Sequence, residues 1–167
     1  QTRNINPDCT IEILTPDFQG YEPALNKVFS SKPDIFSHNV ECVERISKAV
    51  RAQSDWGRSK QVLKLSVKYG LITKTGMMVG LGENDGEVFS TMEEVRGLGV
   101  KIFNIGQYLQ PTKKHLKVER YVSPEQFSIY KDFGLKIGFS VVESGPLVRS
   151  SYMADKQAKL MNQKQSA

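Results

Sequence analysis

The apolar residues of this chain fall into short runs that alternate with segments of helical spacing. Five runs, each bounded by Pro, Gly or polar residues, predict β-strands over residues 9–14, 34–40, 72–81, 101–109 and 139–144. Apolar residues three and four positions apart predict helices over residues 22–30, 43–50, 57–69, 84–98 and 124–137. Such alternation is typical of parallel strands joined by right-handed crossovers, and it predicts an α/β fold.

The number of units limits the architecture. Four or five βα units are too few to close an eight-stranded barrel, so we expect part of a barrel or an open α/β sheet. In both architectures ligands bind at the carboxyl ends of the strands. The polar residues expected at that edge are Asp17, Asn39, Glu41, Glu83 and residues 107–110.

Two helix starts have recognisable signals. Ser123-Pro124-Glu125-Gln126 places a capping serine before a proline at the first helical position. The preceding helix can be capped by either Asn84 or Asp85.

Composition and charge exclude several classes of protein. Hydrophobic residues make up 39% of the 167 residues and charged residues 25%, which excludes a wholly disordered or coiled-coil chain. The net charge of +5 is spread evenly, since residues 1–83 carry 11 basic and 9 acidic side chains and residues 84–167 carry 12 and 9. Because the basic residues form no patch, we expect no nucleic-acid partner. No apolar run could span a bilayer, so we expect no membrane partner either. Two cysteines without a C-x-x-C pair suggest a soluble intracellular protein.

The N-terminal residues carry no targeting pattern. Residues 1–8 show neither a signal peptide nor a transit peptide, and the chain begins with Gln1 rather than Met. A strand-like run begins almost at once, at Cys9. We interpret the chain as a fragment whose preceding elements are missing.

Two motifs lie where predicted strands end. In GMMVGLGEND, Gly80 and Gly82 could let the backbone approach a ligand at a helix start, although an ordinary tight turn has the same pattern. In SHNVE, Asn39 and Glu41 would point to the same side of an extended strand, although Asn39 could instead cap a helix.

Three further features have both a chemical and an ordinary interpretation. The segment SGPLVRSSYMAD lacks helical or strand periodicity, and its Arg149 suits anion contacts, but it could be a polar tail. The basic segment QPTKKHLKVERY could be a nucleic-acid patch, but it lacks interleaved aromatic residues and has the pattern of a solvated loop. His38 and His115 lack metal-ligand spacing, and Cys42 is expected to be a small buried residue.

Taken in order, these motifs resemble one enzyme family. The strings TPDF, FSHNVE, GMMVGLGE, IGQYLQPTKKHL, ERYVSPEQF and SGPLVRSSYMAD resemble the lipoyl synthases, which are radical S-adenosylmethionine enzymes. The resemblance covers residues 9–159 and implies a partial βα barrel of the radical S-adenosylmethionine type. It also implies a division into a barrel portion, residues 1–143, and a C-terminal tail, residues 144–167.

The resemblance implies a reaction, its cofactors and its partners. These enzymes insert two sulfur atoms at C6 and C8 of a protein-bound octanoyl group, using S-adenosylmethionine and two 4Fe-4S clusters, one of which is the sulfur donor. The implied partners are the glycine cleavage H protein, E2 subunits of 2-oxoacid dehydrogenases, and an electron donor such as flavodoxin or ferredoxin. The implied location is the cytoplasm, with mitochondria not excluded.

The resemblance also implies roles for individual residues. Asn39, Glu41, Gly80, Glu83 and Gln110 would contact S-adenosylmethionine. Ser151 would be the oxygen ligand of the auxiliary cluster, with Arg149 as a catalytic residue beside it.

One departure from the family is large. The two cysteine triads that hold the clusters, C-x4-C-x5-C and C-x3-C-x2-C, are absent from this sequence, and Cys9 and Cys42 cannot replace them. We therefore expect this chain alone to be inactive. The alternatives are a non-catalytic module that binds an acyl carrier or lipoyl-domain protein, and a phosphate-binding βα-barrel enzyme that uses residues 80–83.

Overall fold

The computed structural model describes residues 1–165, with side chains through residue 161. Its centre is a parallel sheet in the order β1-β2-β3-β4-β5, so that each strand lies beside the one before it in sequence. The strands are β1 (Glu12–Leu14), β2 (Ile35–Ser37), β3 (Ile72–Val79), β4 (Ile102–Gln107) and β5 (Val141–Gly145). No closure of the sheet is found among the described residues, so the predicted α/β fold with a partial barrel is confirmed.

The helices follow the predicted alternation with three differences. They are α1 (Thr2–Ile5), α2 (Glu22–Ser30), α3 (Ser47–Val50), α4 (Trp56–Lys68), α5 (Asp85–Gly97), α6 (Pro124–Lys136) and α7 (Ala154–Gln165). The predicted helix over residues 43–50 is a 3-10 turn, Glu44–Ile46, followed by the single turn α3. Helices α1 and α7 were not predicted. Residues 166 and 167 of the predicted tail lie outside the described residues, and its boundary at residue 144 falls inside β5.

Side-chain caps fix the starts of α5 and α6. Asn84 caps α5 by accepting a hydrogen bond from the Glu87 N–H, and the Glu87 carboxylate accepts one from the Asn84 N–H in return. Asp85, the alternative cap, instead accepts hydrogen bonds from Arg120 and the Tyr130 hydroxyl. Ser123 caps α6 as predicted.

The two faces of the sheet are covered by different helices. On the outer face, Phe103 and Ile105 of β4 pack among side chains of α4, α5 and α6 in the largest apolar cluster. On the inner face, Ile35, Ile102 and Val141 pack against two residues of α7, Ala158 and Met161. Because side chains alternate along a strand, residues 102, 104 and 106 of β4 all belong to the inner face. The carboxyl ends of all five strands meet at one edge, where the loops 15–21, 38–43, 80–84, 108–123 and 146–153 begin.

Candidate functional site

A polar cavity of about 720 Å³ opens at the carboxyl ends of β1 and β2. We call it the larger cavity. Its walls are residues 14–19 after β1, residues 38–41 after β2, and five side chains that follow or begin the next helices: Arg51, Gln53, Ser54, Arg58 and Ser59. A volume of this size is typical of sites for small molecules.

An ion pair shapes one wall of the larger cavity. The Arg58 guanidinium donates to the Asp17 carboxylate, which also accepts a hydrogen bond of 2.9 Å from the Gln19 N–H. Burial by itself would raise the pKa of Asp17, but these hydrogen bonds and the charge of Arg58 outweigh burial and lower the pKa below its ordinary value. Asp17 is therefore a fixed anion that holds the loop after β1.

His38 is a buried, neutral wall residue. Its Nδ1 lies 3.0 Å from the Thr15 carbonyl oxygen and its Nε2 lies 3.1 Å from the Ser59 hydroxyl. Burial lowers the pKa of His38, which favours the neutral ring. Since a carbonyl oxygen can only accept, Nδ1 carries the proton and Nε2 accepts from Ser59. Both ring nitrogens are thus engaged in hydrogen bonds within the protein.

A second, smaller cavity of about 150 Å³ lies between β3, β4 and the C-terminal segment. Asn39 and Glu41 line this smaller cavity as well as the larger one, so the pair separates the two spaces. Gly76, Met77 and Met78 of β3 form one side of the smaller cavity, and residues 148–150 form another.

The backbone brings Asn39 and Glu41 together by an unexpected route. The sequence predicted an extended strand through residue 40, but β2 ends at Ser37 and Glu41 has a φ of +70°. The Glu41 N–H donates to the Gly76 carbonyl at 3.1 Å, and its carbonyl accepts from the Met78 N–H at 2.8 Å. This isolated bridge, rather than strand alternation, holds the Glu41 side chain beside Asn39.

Glu41 presents a carboxylate of raised pKa to both cavities. Burial raises the pKa of Glu41, and this effect exceeds the opposing influence of Arg51 and of a hydrogen bond from Asn39. Arg51 Nη1 lies 3.5 Å from the carboxylate and its side chain is mostly exposed. A half-buried carboxylate, an amide and an exposed guanidinium can together bind hydroxyl, amino and carboxylate groups.

Gly80 and Glu83 belong to a tight turn. The buried Glu83 carboxylate accepts hydrogen bonds from the Gly80 N–H at 2.6 Å and the Leu81 N–H at 3.0 Å. Gly80 has a φ of +100°, and a Cβ there would lie 2.3 Å from Gln107 Nε2 and 2.5 Å from the Arg120 carbonyl oxygen. The close approach that glycine permits is to the protein's own chain.

This turn bears on one alternative from the sequence. The N–H groups of residues 80 and 81, which a bound phosphate could use, already donate to Glu83. The phosphate-binding alternative, which uses residues 80–83, stays a prediction. Gly80 and Glu83 do not line the two cavities, and contact of either residue with a cofactor stays a prediction.

The remaining predicted site residues lie in two places. Arg149 lines the smaller cavity, and its Nη1 donates to its neighbour's carbonyl, Val148 O, at 2.7 Å. Ser151 is exposed and lies just before α7, outside both cavities. Gln110 lies in the basic loop, where its Nε2 donates to the His115 carbonyl at 2.8 Å. The structure thus brings Asn39, Glu41 and Arg149 together, and leaves the others apart.

Neither Arg51 nor Asn104 was predicted as a site residue from the sequence. Arg51 follows a segment predicted as an ordinary amphipathic helix, so no pattern distinguished it. Asn104 did leave a signal, because a polar residue in the centre of the buried run KIFNIG requires a hydrogen-bonding partner.

Neither a metal-binding cluster nor a membrane-spanning helix occurs among the residues that the structure describes. Among the described residues, no three His, Cys, Asp or Glu side chains lie close enough to hold a metal ion. Cys9 is exposed, whereas Cys42 is buried as predicted, and burial raises the pKa of its thiol to about 12. No helix in the described part of the chain has the length and hydropathy needed to cross a bilayer.

Comparison with known proteins decides the family. No family model matches the chain. A lipoyl synthase of Rubrobacter xylanophilus is 51% identical over 153 residues, which cover 90% of this chain and 48% of the relative. Lipoyl synthases of Bacteroides fragilis and Flavobacterium johnsoniae are 47% and 48% identical, over 97% and 92% of this chain. The chain belongs to the lipoyl synthase family.

The match to the lipoyl synthases is partial in length. The chain spans about half the length of these curated relatives, 48%, 56% and 54% of the three named above.

Proposed function

We propose that this chain forms the cofactor-binding half of an enzyme that inserts sulfur at C6 and C8 of a protein-bound octanoyl group. The observation that supports this proposal most is the placement of Asn39, Glu41 and Arg149 around one small cavity at the carboxyl edge of the sheet. The family of the chain supports the same reaction.

The residues of the two cavities fit S-adenosylmethionine. Asn39 and Glu41 would hold the ribose hydroxyls or the amino group, and Arg51 would face the carboxylate from the larger cavity. Gly76, Met77 and Met78 would bound the adenine. When bound, S-adenosylmethionine supplies the abstraction of hydrogen from the octanoyl chain. The part of the chain described in the structure orients the cofactor, and burial around Glu41 limits competition from water.

The residues present do not fit either iron–sulfur cluster. A cluster needs three or four ligands, and the chain offers two cysteines, of which Cys42 is buried as a thiol. The proposed oxygen ligand, Ser151, is exposed and could reach a cluster held by other residues, but it cannot hold one alone.

The proposed macromolecular partners are octanoylated carrier proteins, namely the glycine cleavage H protein and E2 subunits of 2-oxoacid dehydrogenases. An electron donor such as flavodoxin or ferredoxin would supply the reducing equivalents. The proposed location is the cytoplasm, where bacterial carriers of this kind would be modified.

The basic loop supports a second candidate, a non-catalytic module for a carrier protein. Lys113, Lys114 and Lys117 have no ion-pair partner among the residues that the structure describes. The Tyr108 hydroxyl donates to the Leu116 carbonyl at 2.9 Å, which fixes the loop that carries them. An acidic carrier could dock on this loop without any reaction.

Cofactor binding distinguishes the two candidates. S-adenosylhomocysteine should bind to a form of the protein that carries the family's cysteine motifs, as measured by calorimetry. Asn39→Ala and Glu41→Gln should each raise its Kd about tenfold or more, because a hydrogen bond with a charged group contributes roughly 1.5–3 kcal/mol. Glu22→Gln, at an exposed position on α2, is the control. An unchanged Kd in both cavity variants would refute the enzyme and favour the module.

A further inference from the structure

We infer that Asn104 and Gln157 are positioning residues that hold residues 148–151 across β4, beside the smaller cavity. The inference rests on the proposed function for its consequence, because it explains how Arg149 and Ser150 are placed at the smaller cavity. Contacts on the inner face of the sheet carry it.

The inner face of β4 makes different contacts along its length. Ile102 packs in the apolar cluster with Ala158 and Met161 of α7. At the other end of the strand, a Cβ on Gly106 would lie 2.2 Å from the Val148 carbonyl oxygen, which leaves no room for any side chain. The C-terminal segment therefore crosses β4 in direct contact with its backbone.

Asn104 lies between these two positions and binds the crossing segment. It is 3% exposed, and its Nδ2 donates to the carbonyls of Arg149 at 3.0 Å and Ser150 at 3.3 Å. Two consecutive carbonyls aimed at one amide fix the local backbone. The directions of the side chains of residues 149–151 follow from that backbone.

Gln157 ties the start of α7 to the same amide. Its Nε2 donates to the Tyr152 carbonyl at 2.9 Å and lies 3.4 Å from Asn104 Oδ1. Gln157 is fully buried, and its Oε1 has no partner among the described residues. A buried unpaired acceptor is unfavourable, and a leucine could pack beside Ala158 and Met161 without it. Packing of α7 therefore does not require glutamine, whereas the bonds to Asn104 and Tyr152 do.

Hydrogen exchange of the 167-residue chain tests the inference. Asn104→Val and Gln157→Leu should each speed amide exchange in residues 148–154 about tenfold, because each removes hydrogen bonds to that segment. Global stability in Gln157→Leu should stay equal or rise. The control is Thr73→Val, which removes a buried hydroxyl that bonds Ser66 of α4 at 2.8 Å, on the face of the sheet opposite α7. Unchanged exchange in both test variants overturns the inference, as does a loss of exchange protection spread evenly over the chain.

Two further measurements separate positioning from general packing. In the double variant the increase in exchange should be smaller than the product of the two single increases, since the residues contact each other. An increase equal to the product of the two single increases would show that the two residues are not coupled. In the binding assay above, both variants should raise the Kd for S-adenosylhomocysteine at least threefold while Thr73→Val should not. Faster exchange with no S-adenosylhomocysteine binding by any form would support the positioning role and refute the proposed function alone.

Discussion

Substitution of Glu83 by glutamine tests whether this buried carboxylate serves the turn after β3 or the cofactor. The side chain is 4% exposed and accepts hydrogen bonds from two backbone N–H groups, at 2.6 Å and 3.0 Å. Glutamine has nearly the same shape, but its amide nitrogen would face one of those donors. One N–H group would then be buried without an acceptor.

The expected loss of stability follows from these two bonds. Losing one hydrogen bond to a charged group costs roughly 1.5–3 kcal/mol, and leaving a buried donor unpaired costs roughly 1–3 kcal/mol more. Since the turn can relax in part, we expect the free energy of unfolding of Glu83→Gln to fall by about 3 kcal/mol. Urea denaturation monitored by circular dichroism measures it directly.

A matched control lies in the neighbouring loop. Glu119 is exposed, and Glu119→Gln should change the free energy of unfolding by less than about 0.5 kcal/mol. The affinity for S-adenosylhomocysteine of folded Glu83→Gln should stay within threefold of the unmodified protein. If stability were unchanged while affinity fell tenfold, the turn argument would be wrong and Glu83 would be a cofactor ligand.

Three other predictions follow from the buried groups and the tail. Lys74 is 1% exposed, and its Nζ lies 2.9 Å from the Glu12 carboxylate. Glu12→Gln should therefore lower the free energy of unfolding, measured by chemical denaturation, by about 3 kcal/mol, whereas Lys74→Met should lower it much less. Equal losses would contradict this. Burial lowers the pKa of His38, so the free energy of unfolding should be highest above about pH 6.5 and should fall as the pH drops toward the folded pKa. His38→Gln should flatten this dependence between about pH 7.5 and 5. An unchanged slope would show that another group titrates. In a form with the cysteine motifs, Ser151→Ala should abolish lipoyl product while cleavage of S-adenosylmethionine continues, and Ser150→Ala should do much less, as product analysis by mass spectrometry would show.

The sequence predicts the strands better than it predicts the tail. Buried runs such as residues 101–109 are strongly apolar, and the structure places β4 inside that run. Helix α7 escaped prediction because its buried face among the described side chains is small and includes a polar residue, Gln157, beside Ala158 and Met161. Its position is decided by long-range packing on β4 and β5, and local periodicity does not record such packing.

In the candidate site, too, local patterns were predictable from the sequence, whereas contacts between distant residues were not. Strand alternation suggested that Asn39 and Glu41 lie together, and they do, although the backbone turns at Glu41. The sequence indicated a glycine-rich turn at Gly80, but it did not show that the Glu83 carboxylate would accept the hydrogen bonds of the turn's N–H groups. Arg51 could not be predicted, because only the folded chain brings it to Glu41.

The left-handed backbone at Glu41 has a consequence for selection and engineering. A residue with a Cβ is strained by roughly 1–2 kcal/mol at such a φ, whereas glycine is not. Screening for thermal stability alone would therefore favour glycine at position 41, and so would remove the carboxylate between the two cavities. Screening for cofactor affinity would retain glutamate despite the strain. Position 41 is thus a site at which thermal stability and cofactor affinity select different residues. A library screened for stability should therefore keep glutamate at this position.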